Sequence, residues 1–363
     1  MNIGIPVERQ PNEYRVGLTP KGVALLTQAG HRCYVQRGAG VGAGFEDAAY
    51  ERAGARIAYA AEEVYSRADL VLKVGPPTLE EMVFVRDGQT ICAFWHLLAR
   101  PREMTHILLE RRATAVAYEL IQEENGHLPV LRPLSEIAGR MAPQIAARWL
   151  QNDGGGSGIL LGGLAGVPPT NVAILGAGIV GMNAARTFLG LGARVYVLDK
   201  DLSRLQLIDE QYRGQIVTMV SHDFNVARVC TFARVLVGAV LEPGARAPVL
   251  VTREMVRSMR PRSVILDISI DQGGCVETSR PTTHDDPVYV EENVIHYCVP
   301  NMPGVVARTA THAYLNAAWP YIQQIANTGI REAIEANPAL MRGVVVHDGR
   351  VTNKNLALLL EEA

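Results

Sequence analysis

The stretch 171–199, N-V-A-I-L-G-A-G-I-V-G-M-N-A-A-R-T-F-L-G-L-G-A-R-V-Y-V-L-D, restricts the fold of this chain more than any other. An apolar run, Val172–Leu175, enters Gly176-Ala177-Gly178-Ile179-Val180-Gly181 directly, and a helical pattern with small residues (Ala184, Ala185) follows. A second β-branched run, Val195–Leu198, ends on Asp199. Strand, turn, helix, strand and acid in this order make a βαβ unit with a dinucleotide fingerprint. Gly176 permits the tight turn, Gly178 lets backbone approach a pyrophosphate, and Gly181 lets the helix pack on the strand. The helix N-terminus offers the phosphates unpaired N–H groups and a positive dipole end. Asp199 stands where a ribose-binding acid is needed; its charge would repel a 2′-phosphate, so NAD is preferred over NADP, although Lys200 and Arg204 lie nearby. A second glycine run, Gly38 to Gly44, is followed by Phe45-Glu46-Asp47 rather than an apolar helix start, and reads as a loop.

Short apolar runs alternate with helical patterns along the chain, the signature of α/β architecture with parallel strands. Strands are expected at 2–7, 32–36, 70–74, 90–95 and 114–118, then at 171–175, 194–198, 234–240, 263–268 and 294–299. Thr19-Pro20 opens a capped helix that Gly30 closes, and a long amphipathic helix covers 135–151 with Pro143 inside it. Asp153 to Gly158 reads as a flexible turn or hinge. A chain of 363 residues exceeds the usual size of one core. Two domains are expected: 1–134 with 306–363, which is discontinuous, and 135–305.

Composition sets further bounds. With 35 basic and 37 acidic side chains, the formal charge of −2 gives no reason to expect nucleic acid or anionic membrane as a partner. The five cysteines are scattered and never in C-x-x-C spacing, which argues against a disulfide framework or a cysteine metal site and for a reducing compartment. No metal is expected. With neither a signal-like N-terminus nor an apolar run of membrane-spanning length, a cytoplasmic protein is expected.

Four polar residues stand where apolar strands begin or end. Lys73 closes Asp69-Leu70-Val71-Leu72, an unusual place for a solvated lysine, and His96 follows Ala93-Phe94-Trp95. Asp271 follows 266–270 and precedes Gln272-Gly273-Gly274. Arg15 precedes the first helix, and its spacing alone favours a surface arginine. Strand termini are where ligand sites of α/β domains collect.

Together these segments resemble the alanine dehydrogenase family, whose N-terminal region is shared with the NAD-binding subunit of proton-translocating transhydrogenase. The matching stretches are Gly4-Ile5-Pro6-x-Glu8, Glu13-x-Arg15-Val16, Asp69-Leu70-x-Leu72-Lys73-Val74, His96-Leu97 and Ser135-Glu136-x-Ala138-Gly139-Arg140. The fingerprint, Asp271-Gln272-Gly273-Gly274-Cys275 and Asn301-Met302-Pro303 complete them. The resemblance implies two Rossmann-like domains with the active site in the cleft between them, usually assembled as a homohexamer. It implies that Arg15 and Lys73 bind the substrate's carboxylate and carbonyl, and that His96 and Asp271 are catalytic. It further implies that NAD is lined by Ser135, Gly176, Gly178, Gly181, Asp199, Arg204, Ser221, Val240, Leu241, Ile268, Ser269, Ile270, Asp271, Val299, Pro300, Asn301 and Met302.

The implied reaction is reversible oxidative deamination of L-alanine to pyruvate and ammonium. Two departures bear on the substrate: the loop after Lys73-Val74 reads Gly75-Pro76-Pro77-Thr78 instead of a Lys-Glu-Pro-like run, and Leu134 replaces a frequent methionine. The alternatives are a dehydrogenase of another small amino or imino acid, and a transhydrogenase-like NAD(H)-binding module.

Overall fold

The strands of the computed structural model, which describes residues 1–97, 100–241 and 246–361, run in chain order as follows. β1 is Asn2–Ile5, β2 Arg32–Gln36, β3 Arg56–Ala58, β4 Leu70–Leu72 and β5 Thr90–Ala93. β6 is Thr114–Ala117, β7 Asn171–Leu175, β8 Arg194–Asp199, β9 Ile216–Val220 and β10 Val235–Gly238. β11 is Val264–Asp267, β12 Val288–Glu291, β13 Val294–Tyr297, β14 Val344–His347 and β15 Arg350–Val351.

They form two separate sheets, one in each compact unit. The unit Met1–Leu134 with Pro303–Ala363 holds the order β15-β14-β6-β5-β4-β1-β2-β3. In it β1 to β6 are parallel, and β14 joins β6 antiparallel. The unit Ser135–Met302 holds β12-β13-β11-β10-β7-β8-β9, parallel except for β12. Every residue of β4, β5, β6, β10 and β11 is buried. That is the pattern of strands covered by helices on both faces, and it explains the near-continuous apolar runs. In each sheet the order reverses beside the unit's first strand, between β1 and β4 and between β7 and β10. Such reversals open a crevice at the carboxyl ends of the strands, where α/β domains bind ligands.

Several ladders stop short of the expected strand ends: at Leu72 rather than 74, Ala93 rather than 95, Gly238 rather than 240, Asp267 rather than 268 and Tyr297 rather than 299. A last backbone bond or two continues past some of these points, as from Phe94 N to Val74 O, and side chains then take further backbone donors. Glu8 accepts from Val74 N, Glu119 from Trp95 N, and Ser269 Oγ from Val240 N. Val74 and Trp95 stay buried and Val240 partly so, and the apolar texture that predicts strand persists after the strand has ended.

The helix Pro20–Gln28 is capped by the Thr19 hydroxyl, which accepts from Gly22 N at 3.2 Å. The long helix is Arg132–Leu150, with Pro143 inside it, and the chain passes from the first unit to the second within that helix. The run Asp153 to Gly158 lies inside the second unit and turns back on this helix, with Gly156 N and Gly158 N donating to Gln151 O and Leu150 O at 2.9 and 2.8 Å. Gly38 to Gly44 forms a loop with a 3-10 turn at Val41–Ala43, where a Cβ on Gly42 would meet the Tyr14 backbone. Among the described residues no helix is long and apolar enough to cross a membrane.

Candidate functional site

In the second unit, the turn after β7 sits at the order reversal. Gly176 has φ +103°, which a side chain would strain, and a Cβ there would strike the Ala239 carbonyl at the end of β10. A Cβ on Gly181 would run into the Gly176 carbonyl oxygen, so the helix Ile179–Gly190 approaches the strand as closely as it does only without a side chain. Gly178 caps that helix, and a Cβ there meets nothing within 4 Å. The backbone is packed tightly from below at Gly176 and Gly181 and open at Gly178, which fits a pyrophosphate on the helix N-terminus. Asp199, at the end of β8 and 7% exposed, accepts from Ala177 N at 2.6 Å and Asp201 N at 2.9 Å. Its carboxylate therefore braces the turn. Arg204 Nη1 lies 3.7 Å from Asp199 Oδ2. Ser221, past the end of β9, donates its backbone N–H to Asp199 O at 2.9 Å.

A second loop emerges from β11 in the same unit. Ile268–Gln272 form a 3-10 turn closed by Gly273 in the left-handed region. Asp267 holds the loop from beneath: it accepts from Ser269 N at 3.1 Å, Cys275 N at 2.9 Å and Val276 N at 3.2 Å. Burial pushes its carboxyl up from the ordinary value, against these hydrogen bonds. The Ser269 hydroxyl donates to Val240 O at 2.9 Å, joining this loop to the one after β10. Asp271 accepts from Asn301 N at 3.2 Å, and Asn301 sits in the left-handed region at φ +54°. Val299 and Met302 are buried, and Leu241 is mostly solvent-facing. Ser135 is half-buried on the long helix, whose Gly139 is packed against the Val180 carbonyl of the helix after the glycine turn.

In the first unit the polar residues gather at the carboxyl ends of β1, β4, β5 and β6. Lys73 is fully buried, with Nζ 3.3 Å from Glu8 Oε2, 3.3 Å from Glu81 Oε1 and 3.4 Å from Val7 O. Glu8 also accepts from Val74 N at 2.7 Å and Gly75 N at 3.2 Å, so it ties the exit of β1 to that of β4. Burial pushes the Glu8 carboxyl up to about 7, with Lys73 opposing the shift. Arg15 is 4% exposed, and Glu13 grips it with both oxygens, at 2.7 Å from Nε and 2.5 Å from Nη2. Burial works against the guanidinium's charge, but Glu13 outweighs it and the pKa is raised. His96 follows β5 in the left-handed region at φ +46°, with its side chain half exposed. Glu119, after β6, accepts from Trp95 N at 3.1 Å and His96 N at 2.6 Å and sets that backbone turn. A non-glycine residue held at positive φ is a strained backbone, of the kind that collects at functional sites.

The first unit thus brings Arg15, Lys73 and His96 to the carboxyl-end side of its sheet, and the second brings its glycine turn, Asp199, Val240, Ser269, Asp271 and Asn301 to the same side of its own. Arg15 is not the surface residue that spacing favours, because Glu13 supplies the counter-charge that lets it be buried. Sequence reasoning gave no role to Glu8, Glu13, Glu81, Glu119 or Asp267. Glu8 and Glu13 lie in the matched stretches, and Glu119 follows its strand much as His96 follows β5. The departing loop Gly75-Pro76-Pro77-Thr78 ends in a capping box: Thr78 Oγ1 accepts from Glu81 N, and Glu81 Oε2 accepts from Thr78 N. That box fixes Glu81, whose other oxygen meets Lys73. Among the described residues there is no group of three or more His, Cys, Asp or Glu able to hold a metal ion.

Two family models cover almost the whole chain: alanine dehydrogenase/PNT, N-terminal domain, matches residues 4–138, and alanine dehydrogenase/PNT, C-terminal domain, matches 142–354. The alanine dehydrogenase of Methanococcus maripaludis is 46% identical over 98% of this chain and 96% of its own. That of Mycobacterium tuberculosis is 44% identical over the same shares. A solved L-alanine dehydrogenase superposes with a TM-score of 0.96 at 41% identity, covering 100% of this chain and 99% of its own. A transhydrogenase from Sinorhizobium meliloti superposes with a TM-score of 0.83 at 26% identity, covering 97% and 100%. With a two-unit Rossmann-like fold and these likenesses end to end, the chain belongs to the alanine dehydrogenase/PNT family.

Proposed function

We propose that this chain is an NAD-dependent L-alanine dehydrogenase, which takes L-alanine, NAD and water to pyruvate, ammonium, NADH and a proton, and back. The observation that carries this reading is the pair of buried cations, Arg15 and Lys73, fixed by carboxylates at the order reversal of the first sheet. Buried charge is costly unless it is used or paired, and two cations beside a strand-end histidine suit a small 2-oxo acid. The names of the similar full-length relatives support the same substrate. The unit 1–134 with 303–363 is then the substrate unit, and 135–302 the dinucleotide unit. The protein is taken as a cytoplasmic homohexamer.

The bound nicotinamide supplies the hydride acceptor or donor. Arg15, held in plane by Glu13, takes the carboxylate, for which a guanidinium is suited by shape and charge. Lys73 stabilises the negative charge that develops on the substrate's carbonyl oxygen. His96 exchanges the protons needed to form and collapse the carbinolamine. Asp271, steadied by Asn301 N, orients the amine. Gly176, Gly178 and Gly181 shape the pyrophosphate turn, and Asp199 selects the free ribose. Ser135, Arg204, Ser221, Val240, Leu241, Ile268 to Asp271 and Val299 to Met302 complete the cofactor's lining.

Incubation with L-alanine and NAD tests this directly. NADH, pyruvate and ammonium should appear in equal amounts, and NADP should serve poorly. Absence of NADH formation in an enzyme that binds NADH would overturn the assignment.

A further inference from the structure

The carboxylates around Lys73 outnumber what one ligand-binding cation requires. Arg15 and Lys73 bring two positive charges, and Glu8, Glu13 and Glu81 bring three carboxylates, all on nearly inaccessible side chains. Glu13 is committed to Arg15 through both oxygens, and Glu81 to Lys73 and the Thr78 cap. Glu8 is the remaining partner of Lys73, 3.3 Å away, and its other contacts are two backbone N–H groups. The other titratable groups near it are phenols: Tyr65 from the helix Ala61–Arg67, Tyr118 beyond β6, and Tyr314 from the helix Ala307–Thr328. Burial raises the pKa of all three well above the ordinary phenol, so they stay neutral and cannot balance charge.

A substrate carboxylate entering this cluster adds a fourth negative group against two cations. Like charges crowded in a buried site are relieved by neutralising one of them. We propose that binding of the substrate carboxylate at Arg15 and Lys73 is coupled to the uptake of one proton from solvent by Glu8. The Glu8 carboxylate becomes a carboxylic acid, and its ion pair with Lys73 is replaced by a neutral contact. The Lys73 ammonium then serves the ligand. The balance is simple: one carboxylate arrives and one is protonated, with no change in redox state. Burial, which already pushes Glu8 up to about 7, makes it the carboxyl of the set nearest to taking that proton. The inference rests on the reading of Arg15 and Lys73 as the carboxylate site.

Calorimetric titration of pyruvate into the NADH-loaded enzyme, without ammonium and in two buffers of different ionisation enthalpy, measures the protons exchanged. At pH 8 the expected uptake is about one proton per bound pyruvate, decreasing towards zero below pH 6, where Glu8 is already protonated. Affinity should fall by up to about tenfold per pH unit above neutrality. In Glu8→Gln the uptake should vanish. No uptake by the wild-type enzyme at pH 8 overturns the proposal without any variant, and so does undiminished uptake in Glu8→Gln. If Glu8→Gln does not fold, His96→Ala decides: uptake retained supports Glu8, and uptake lost assigns the proton to His96. Absence of pyruvate binding in every buffer would instead overturn the carboxylate site itself, and the proposal with it.

Discussion

Individual residues in the first unit are held in costly states, and each cost has an identifiable partner. Glu8 has a folded-state pKa raised to about 7 from 4.5, so the folded chain binds this proton more tightly than the unfolded one. Its contribution to stability is therefore fully present below about pH 4.5 and is lost as pH rises through 7. Glutamine at this position does not titrate. Urea unfolding of wild type and Glu8→Gln at pH 5 and pH 8 should show the balance moving towards the variant at the higher pH, by up to about 3 kcal/mol. A constant difference between the two would contradict the buried, titrating carboxyl. His96 is strained at φ +46°, with its backbone N–H held by Glu119. His96→Ala should leave NADH affinity near normal while turnover falls by about 10²- to 10⁴-fold, as for a general acid–base. Unchanged turnover would remove His96 from the chemistry.

At the scale of the element, the glycine turn is the sharpest constraint. Gly181→Ala drives a methyl into the Gly176 carbonyl, so strand and helix must part. The expected result is a loss of at least about tenfold in NADH affinity and roughly 1–3 kcal/mol of stability. Titration of NADH fluorescence reads the first, and tight binding by the variant would contradict the packing argument. Asp199→Ala should narrow the preference for NADH over NADPH, and should also weaken NADH because the carboxylate braces Ala177 N. Elements of this kind were legible in the sequence because their signals are local: glycines at fixed spacing, a capping Thr19-Pro20, apolar runs between them. Strand ends were less so. Val74, Trp95, Val240 and Ile268 are as apolar as the ladders they follow, and what ends the ladder is a distant side chain or a turn. Spacing alone puts Arg15 at the surface for the same reason, since a buried arginine is visible only once Glu13 is seen around it. Short strands such as β3 and β15 have too few residues for their alternation to stand out.

At the scale of the whole molecule, one architectural rule is used twice. Each unit places its polar residues at the carboxyl ends of parallel strands beside the point where strand order reverses. The chain's return to the first unit has a local cause: the Thr311 hydroxyl accepts from Val16 N at 3.3 Å, and the Tyr314 hydroxyl donates to Val16 O at 2.6 Å. The helix after residue 303 therefore secures the segment that carries Arg15, a pairing no reading of residues 1–134 could anticipate. The identity of the substrate is the central claim. NADH oxidation with ammonium, measured against a panel of 2-oxo acids of increasing side-chain size, tests it most directly. The account predicts the highest kcat/KM for pyruvate, with bulkier acids falling away. Preference for a bulkier acid would contradict the alanine assignment, and absence of turnover with every acid, in an enzyme that binds NADH, would contradict the dehydrogenase itself.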